Sequence, residues 1–241
     1  MKLAQLAEGL NYTLVQGSLE EEITNVRYDT RAITGGEVFV CICGYSRDSH
    51  DMAAQAVEQG AKALLIQHDL EQLPEGVAVL KVEDTKLGLA LMSANFFGHP
   101  AEKMTMIGVT APNAKPPPAH MIRSVLTAAG RKVGMVGTTG VEYPGFFAEL
   151  PNTTPQSYEL QKYFRDMVDA GCDTLVMEVS SQGLMNQRVA GIHYQIGVFT
   201  NLYLDHVGGP GEHKSFEGYR AWKGELFKRC DVGVVYVDGP N

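Results

Sequence analysis

Oxygen-rich side chains cluster in three short segments of this sequence. Glu178-Val-Ser-Ser-Gln-Gly-Leu184 and Asn201-Leu-Tyr-Leu-Asp-His206 each begin where an apolar, strand-like run ends, and Asn152-Thr-Thr-Pro155 precedes a helical stretch. Open α/β sheets bind ligands at the carboxyl ends of their strands. Glu178 at such an end is a candidate Mg²⁺ ligand, because Mg²⁺ prefers carboxylate oxygen. His206 is a candidate contact to metal or phosphate, and a purely structural histidine is the alternative.

The segment Asn152-Thr-Thr-Pro155 is open to two interpretations. It offers one amide and two hydroxyls ahead of a helix that runs past Glu159. Such side chains can cap the helix N-terminus or contact a phosphate there. The residues alone do not decide between the two.

The segment Ile107–Leu126 has the surroundings of a phosphate-binding loop without its composition. A working loop presents successive backbone N–H groups, a lysine and a hydroxyl for Mg²⁺. Lys115 is present, but Ala111 and Ala114 resist the backbone angles that glycine allows, and the prolines at 112, 116, 117 and 118 each remove an N–H. A plain strand-to-helix turn, with prolines in the first helical turn, fits these residues. The following helix is expected to place four apolar residues on one face: Met121, Ile122, Val125 and Leu126.

Two further features have ordinary structural explanations. The segment 215–227 is typical of an amphipathic helix, in which Lys223 taken alone would be a solvated surface lysine. Cys41 and Cys43 alternate within an apolar run and are predicted to share a face of a strand. Because no second close cysteine pair exists, we predict reduced, buried thiols rather than a zinc site.

Strand-like and helix-like segments alternate along the chain, which predicts mostly parallel α/β sheets. The first series has strands at 37–43 and 63–67 and helices at 52–59 and 87–97, and Gly98-His-Pro100 is a break. The second begins at Met104 and has strands at 132–136, 174–179, 196–200 and 232–237 and a helix at 158–170. We expect two α/β domains, residues 1–100 and 101–241, the second of them incomplete because the chain stops directly after a strand.

Composition narrows the class of partner. The chain has 241 residues, 44% of them hydrophobic, and a net charge of −8. We therefore expect no basic surface for binding nucleic acid or an anionic membrane. No run of about 18 apolar residues occurs, and the first residues lack the apolar core of a secretory signal. We predict a cytoplasmic protein.

Taken together, the motifs resemble those of the Mur ligases over essentially the whole chain. Tyr28-Asp-Thr-Arg31 with Gly35-Gly-Glu-Val-Phe-Val40 is similar to the family's D-S/T-R…G-D-L-F-V opening of its uridine-binding domain, and Gly44–His50 is similar to its G-x-x-x-D-G-H turn. The segments at 152–155 and 178–184 are the most specific, and they resemble the branch that adds a diamino acid. The resemblance implies a small uridine-binding α/β domain, then a P-loop-type, mostly parallel central domain, with the C-terminal ligase domain absent.

The resemblance also implies roles by position. The uridine nucleotide would contact Thr30, Tyr45, Ser46 and Arg47, and the diphosphate-muramoyl-peptide would contact Asn152, Thr153, Thr154, Ser180, Asn186 and Arg188. ATP would contact Thr110, Asn113 and Lys115, and Mg²⁺ would be served by Glu178, His206 and Lys223. Lys115, Lys223 and His206 are the implied catalytic residues. Lys223 aligns with a lysine that this family carbamylates, which turns a cation into an anion able to order magnesium.

The implied reaction moves the γ-phosphoryl of ATP to the D-glutamyl carboxylate of UDP-MurNAc-L-Ala-D-Glu, and the amine of L-lysine or meso-diaminopimelate attacks the acyl phosphate. The family's loop T-G-T-N-G-K-T-T-T corresponds here to Thr110–Pro118, which keeps only Thr110, Asn113 and Lys115. Three hypotheses follow. The chain is an impaired ligase, a non-catalytic module that binds the UDP-muramoyl-peptide, or a ligase whose loop was changed by error or on purpose.

Overall fold

Alternating strands and helices build two sheets, one in each of two compact units, Met1–Gly98 and His99–Asn241. The structure is a computed structural model that describes residues 1–111, 116–203, 207–209 and 213–237. Among these residues no helix has the length and apolar character needed to cross a membrane.

The first unit contains a five-stranded sheet in the order β1-β5-β4-β3-β2. The strands are β1 Thr13–Gln16, β2 Val26–Arg27, β3 Val38–Val40, β4 Ala63–Ile66 and β5 Ala78–Lys81. Only β1 runs antiparallel to its neighbour; the other pairs are parallel. The helices are α1 Leu3–Leu6, α2 Ala53–Glu58 and α3 Thr85–Phe97, with 3₁₀ turns at Thr30–Ala32 and Ser49–Met52.

The predicted strand at 37–43 is shorter than expected, and this changes the position of its cysteines. Strand β3 ends at Val40, and the chain turns back so that Cys43 pairs with Asp48 across a tight turn. The prediction that Cys41 and Cys43 share a strand face is therefore wrong. Both thiols are free, but only Cys41 is fully buried, and burial raises its pKa to about 12.

The second unit contains a seven-stranded sheet in the order β12-β11-β6-β10-β7-β8-β9. Its strands are β6 Thr105–Thr110, β7 Val133–Gly137, β8 Gly140–Tyr143, β9 Phe146–Ala148, β10 Thr174–Glu178, β11 Tyr194–Phe199 and β12 Cys230–Val235. Its helices are α4 Pro116–Ala128, α5 Ser157–Asp169, α6 Ser181–Met185 and α7 Phe216–Gly224, with 3₁₀ turns at Pro100–Lys103 and Phe227–Arg229. Strand β8 pairs antiparallel with both β7 and β9, and all other pairs are parallel, so the predicted fold class is confirmed.

Parallel register aligns the carboxyl ends of the central strands along one edge of this sheet. Val109 of β6 lies opposite Glu178 of β10, and Thr110 lies opposite Phe199 of β11. On the other side of β10, Val136 of β7 lies opposite Met177. The last residues of β6, β7, β10 and β11 are therefore neighbours in space, although they are far apart in sequence.

Helix α4 presents a different face to the sheet from the one that the apolar pattern predicted. Ala119, Ile122 and Leu126 pack on the sheet, whereas Met121 and Val125 are each 69% exposed. Helical geometry places residues at i, i+3 and i+7 on one side, and 119, 122 and 126 have this spacing. The prediction of one shared face for Met121 and Val125 with Ile122 and Leu126 was wrong because it did not include Ala119, the buried residue that sets the orientation.

Candidate functional site

Glu178 is a buried, hydrogen-bonded carboxylate at the carboxyl edge of the second sheet. It is fully buried, and its two carboxylate oxygens accept hydrogen bonds from the Thr138 backbone N–H (3.0 Å) and the Thr138 hydroxyl (2.8 Å). A Cβ on Gly137 would come within 2.3 Å of Glu178 Oε1, so β7 can approach this closely only with glycine there. A buried carboxylate held by two donors is fixed in position and still has free lone pairs.

Thr138 is a site residue that the sequence reasoning missed. Its hydroxyl lies between Glu178 Oε2 and the Thr153 hydroxyl, 3.0 Å away. The sequence did contain a signal for it. Thr138 directly follows the strand that ends at Gly137, just as the segments that begin at Glu178 and Asn201 follow their strands.

The segment 152–155 is tied to the end of β10. The Thr154 hydroxyl donates to the Glu178 carbonyl (3.1 Å) and accepts from the Ser180 N–H (3.0 Å), and Asn152 is exposed. The N-cap of α5 is Gln156, which makes no side-chain capping bond. The helix-cap interpretation of this segment is therefore wrong. Its hydroxyls instead form hydrogen bonds with residues at the ends of β7 and β10.

Ser180, Asn186 and Arg188 surround the same loop. Ser180 Oγ accepts from the Gly183 N–H (2.9 Å), and Asn186 Nδ2 donates to the Gln182 carbonyl (3.0 Å). One guanidinium nitrogen of Arg188 donates to the Thr154 carbonyl at 2.9 Å. The structure thus brings the six residues expected to contact the muramoyl peptide to one end of β10; their contact with that ligand stays a prediction.

Lys223 is buried, so its interpretation as a solvated surface lysine is wrong. Lys223 lies in α7 and is 2% exposed. Its side-chain nitrogen lies 3.5 Å from the Thr110 hydroxyl and 4.9 Å from the centre of the Tyr219 ring. Thr110 ends β6, which lies between β11 and β10 in the sheet. The amine of Lys223 is thereby placed at the same edge as Glu178.

Two further oxygens at this edge suit a metal. Thr200 Oγ1 and Asn201 Oδ1 follow β11 and are shielded from solvent, and neither has a hydrogen-bond partner within the described ranges. Carboxylate and amide oxygens are the ligands that Mg²⁺ accepts. Glu178 and Asn201 therefore offer the kinds of oxygen that Mg²⁺ accepts, while His206, another expected ligand, lies outside the described residues together with Asn113 and Lys115.

The start of α4 fits a nucleoside triphosphate poorly. Pro116, Pro117 and Pro118 are its first three residues. Backbone N–H groups of a first helical turn are what bind a phosphate, and proline has none. The strand-to-helix turn with prolines in the first turn is confirmed for the part of this segment that the structure describes.

In the first unit, the residues expected at the uridine nucleotide divide into buried and exposed. Tyr45, Ser46 and Arg47 are exposed on one turn, which the Gly44 N–H closes by donating to the Arg47 carbonyl at 2.9 Å. Thr30 is only 2% exposed, next to Asp29, whose pKa is held below its usual value by hydrogen bonds from Arg31. The turn can contact a ligand directly, whereas Thr30 presents little surface.

Two family descriptions match the chain. Residues 115–241 match the Mur ligase middle domain, and residues 22–97 match the description "Mur ligase family, catalytic domain". The first match covers more than half of the chain.

The chain belongs to the Mur ligase family. It is 41% identical over 240 residues to the UDP-N-acetylmuramoyl-L-alanyl-D-glutamate–2,6-diaminopimelate ligase of Clostridium perfringens, a match that covers 100% of this chain and 49% of that protein. It is 40% identical over 230 residues to the enzyme of the same name from Bacillus licheniformis, covering 95% and 46%. This Mur ligase chain spans about half the length of the curated relatives that it matches.

Solved Mur ligase structures share the fold. A UDP-N-acetylmuramoyl-L-alanyl-D-glutamate–2,6-diaminopimelate ligase superposes with a TM-score of 0.82 at 21% identity, covering 100% of this chain and 48% of the other. MurF of Thermotoga maritima, solved in complex with ADP, superposes with a TM-score of 0.60 at 20% identity, covering 89% and 46%.

Proposed function

We propose that this chain is the uridine-binding and central portion of a MurE-type ligase. That ligase would join a diamino acid to UDP-MurNAc-L-Ala-D-Glu at the expense of ATP, in cytoplasmic peptidoglycan synthesis. Relatives named as 2,6-diaminopimelate ligases, at 41% and 40% identity, support this proposal and favour meso-diaminopimelate over L-lysine as the amine. Residues 1–100 would bind the uridine nucleotide, and residues 101–241 would bind the muramoyl peptide and ATP.

The observation that carries the proposal is the arrangement at the end of β10. Glu178, Thr138 and Thr153 form a continuous set of polar contacts, and Thr154 joins Ser180 and Arg188 to the same strand end. Phosphoryl-transfer sites work mainly by positioning and charge neutralisation, which needs anion-holding hydroxyls and a fixed carboxylate close together. This edge supplies both.

Glu178 and Asn201 would hold Mg²⁺, and Lys223 and His206 would complete its surroundings. The ion, when bound, supplies positive charge that offsets the charge of the phosphoryl groups. Lys223 is placed for carbamylation because its amine lies 3.5 Å from the Thr110 hydroxyl, at the sheet edge that carries Glu178. The carbamate would add carboxylate oxygens at the end of β6.

A non-catalytic module that binds the UDP-muramoyl-peptide is the second candidate. The specific observation in its favour is the composition of the first turn of α4, where three prolines stand in place of phosphate-binding N–H groups. The first candidate predicts that ATP binds weakly, and the second predicts that ATP does not bind at all.

Calorimetric titration of the purified chain separates the two candidates. Binding of UDP-MurNAc-L-Ala-D-Glu together with saturable Mg-ATP binding supports the ligase, and binding of the muramoyl dipeptide alone supports the module. Restoring the family loop by Ala111→Gly, Pro112→Thr, Ala114→Gly, Pro116→Thr, Pro117→Thr and Pro118→Thr is expected to create or strengthen ATP binding. A chain that binds neither ligand would contradict both candidates.

A further inference from the structure

Four side chains that can bind a metal converge in the first unit, at the base of the turn 44–47. The Sγ of Cys43, a carboxylate oxygen of Asp48 and ring nitrogens of His50 and His68 all lie within 4.8 Å of one another. Cys43 and Asp48 are half-buried, His50 is buried, and His68 is exposed. The sequence search for a second cysteine pair could not find this group, because its remaining members are histidines and a carboxylate.

Backbone contacts bring the four residues together. Cys43 and Asp48 face each other across an antiparallel bridge, and a Cβ on Gly44 would lie 2.8 Å from the Arg47 carbonyl, so the turn is tight. His50 lies in the 3₁₀ turn that follows. His68 lies two residues after the end of β4, which is paired with β3 in parallel. Backbone pairing, and not side-chain flexibility, therefore places these four residues close together.

The distances suit a tetrahedral metal. Cys43 Sγ lies 3.5 Å from Asp48 Oδ2. Metal–sulfur and metal–oxygen bonds of about 2.3 and 2.0 Å place these two atoms about 3.5 Å apart in a tetrahedron. His68 Nε2 lies 2.8 Å from Asp48 Oδ2, and the same geometry needs about 3.3 Å. A small movement of the exposed His68 side chain provides the difference.

Hydrogen bonds assign different tasks to the two histidines. His68 Nδ1 lies 3.1 Å from the Asp69 carbonyl and its Nε2 lies 2.8 Å from Asp48 Oδ2, and both of these oxygens can only accept, so both ring nitrogens donate in the metal-free chain. A metal would replace the proton on Nε2, while Nδ1 would keep its hydrogen bond to the Asp69 carbonyl. Metal-binding histidines usually donate their other N–H in this way. His50 Nε2 accepts from the Gln67 N–H (2.9 Å), so its proton is on Nδ1 and is donated to Asp48 Oδ1 (2.5 Å). His50 therefore orients the carboxylate and does not bind the metal itself.

We propose that Cys43, Asp48 and His68 bind one divalent cation of the zinc class, with His50 as a positioning residue. A sulfur, nitrogen and oxygen ligand set selects Zn²⁺ or Co²⁺ over Mg²⁺ and Ca²⁺, which prefer oxygen alone. A surface cleft of about 450 Å³ adjoins the group at His50 and His68, so solvent that could supply the fourth ligand reaches this side of the group. The bound ion would clamp the two ends of the turn 44–47. The proposal does not depend on the ligase activity.

Cobalt is the probe that tests this site. Titration of the reduced, metal-free chain with Co²⁺ is expected to show one ion per chain, the visible bands of tetrahedral cobalt and a thiolate-to-cobalt charge-transfer band, all displaced by Zn²⁺. Cys43→Ser should remove the charge-transfer band, and His68→Gln should abolish tight binding. His50→Gln should weaken binding about 10–100-fold while the charge-transfer band remains at saturation, because His50 only orients a ligand.

Two matched variants serve as controls. Cys230→Ser removes another half-buried thiol, and His193→Gln removes an exposed histidine that is paired with a carboxylate, Asp231, at 2.8 Å. Both are expected to bind Co²⁺ like the parent chain. A parent chain that binds no Co²⁺, or a Cys43→Ser variant that keeps the band and the affinity, would overturn the proposal and leave an ordinary His68–Asp48 ion pair. Zn²⁺ should also raise the melting temperature of the parent and not that of Cys43→Ser. The melting transition of Cys43→Ser shows that the variant is folded, and its unchanged midpoint shows that it lacks only the ion.

Discussion

At the scale of single residues, buried polar groups distinguish the candidate site from the rest of the sheet. Glu178 and Lys223 are almost completely buried, and each is directed to the end of a parallel strand. Burying a charged group costs free energy unless hydrogen bonds or an opposite charge compensate. Such residues are retained where they serve binding or catalysis, and both positions lead to testable consequences.

Loss of the Thr138 hydroxyl should disturb Glu178. In Thr138→Val, one carboxylate oxygen of Glu178 loses its donor while it remains buried, which is expected to reduce the free energy of unfolding by about 1–3 kcal/mol. Binding of the muramoyl dipeptide should weaken as well, because Thr153 loses its partner. Urea unfolding and calorimetry measure the two effects. Thr138→Ser keeps the hydroxyl and is the control; equal losses in both variants would contradict this role.

Lys223 should take up CO₂. With ¹³C-labelled bicarbonate, the chain is expected to give a carbamate resonance that Lys223→Gln removes, since the Lys223 amine lies beside the Thr110 hydroxyl at the sheet edge that carries Glu178. Lys228, whose side chain is 73% exposed and paired with Glu225, provides the control variant Lys228→Gln. A carbamate signal that survives in Lys223→Gln would assign the modification to another lysine.

At the scale of elements, strand and helix ends decide which side chains meet. Strand β7 can end beside Glu178 only because Gly137 has no side chain, and α3 begins where Asp84 accepts hydrogen bonds from the N–H groups of Lys86 (2.8 Å) and Leu87 (3.3 Å). The first contact shapes the candidate site, and the second supports the sheet of the first unit.

Gly137→Ala should displace Glu178. The added Cβ would lie 2.3 Å from a carboxylate oxygen that is itself hydrogen-bonded, so relief requires movement of β7 or of the side chain. Overpacking of this kind typically lowers the free energy of unfolding by about 1–3 kcal/mol. Gly224→Ala, where nothing lies within 4 Å of the new Cβ, is the matched control and should be neutral or slightly stabilising in a urea melt. A Gly137→Ala variant as stable as the parent would refute the tight approach.

Asp84→Ala should weaken the start of α3. Removal of an N-cap carboxylate costs about 0.5–2 kcal/mol, and here two N–H groups would lose their acceptor. The neighbouring exposed Glu83, changed to Ala, tests whether charge alone has this effect. Thermal melts in which the two variants shift equally would exclude a capping role.

At the scale of the whole molecule, each of the two units has its own core and its own buried cysteine. Cys41 belongs to the core of the first unit and Cys172 to that of the second. Thiolate is the reactive form of cysteine, and burial raises the pKa of both thiols, that of Cys41 to about 12. Their reactivity therefore reports on the opening of each unit separately.

Alkylation at pH 8 should modify Cys230, which is half-buried, well before Cys41 or Cys172. In rising urea, Cys41 and Cys172 are expected to become reactive when their own unit unfolds, and mass spectrometry of the labelled peptides separates the two transitions. Labelling of Cys41 at the rate of Cys230 without denaturant would show that the core of the first unit is open.

Local pattern was sufficient for much of the fold. Strand and helix alternation predicted the parallel sheets, and the segments at 152–155 and 178–184 indicated where the ligand edge lies, because both follow from short-range spacing. The hairpin β8–β9 and the strands β1, β2 and β5 of the first unit were missed, since each has only two to four residues and carries too little periodicity to be recognised.

What the sequence determined by itself is the family, the fold class and the identity of the polar residues at the strand ends, because motif and periodicity are properties of neighbours along the chain. Only the tertiary structure decided that Lys223 is buried against Thr110, that Thr138 holds Glu178, and that His68 reaches Cys43 and Asp48. These pairs are separated by 20 or more residues. Contact between such residues depends on strand order and register, which no local pattern encodes.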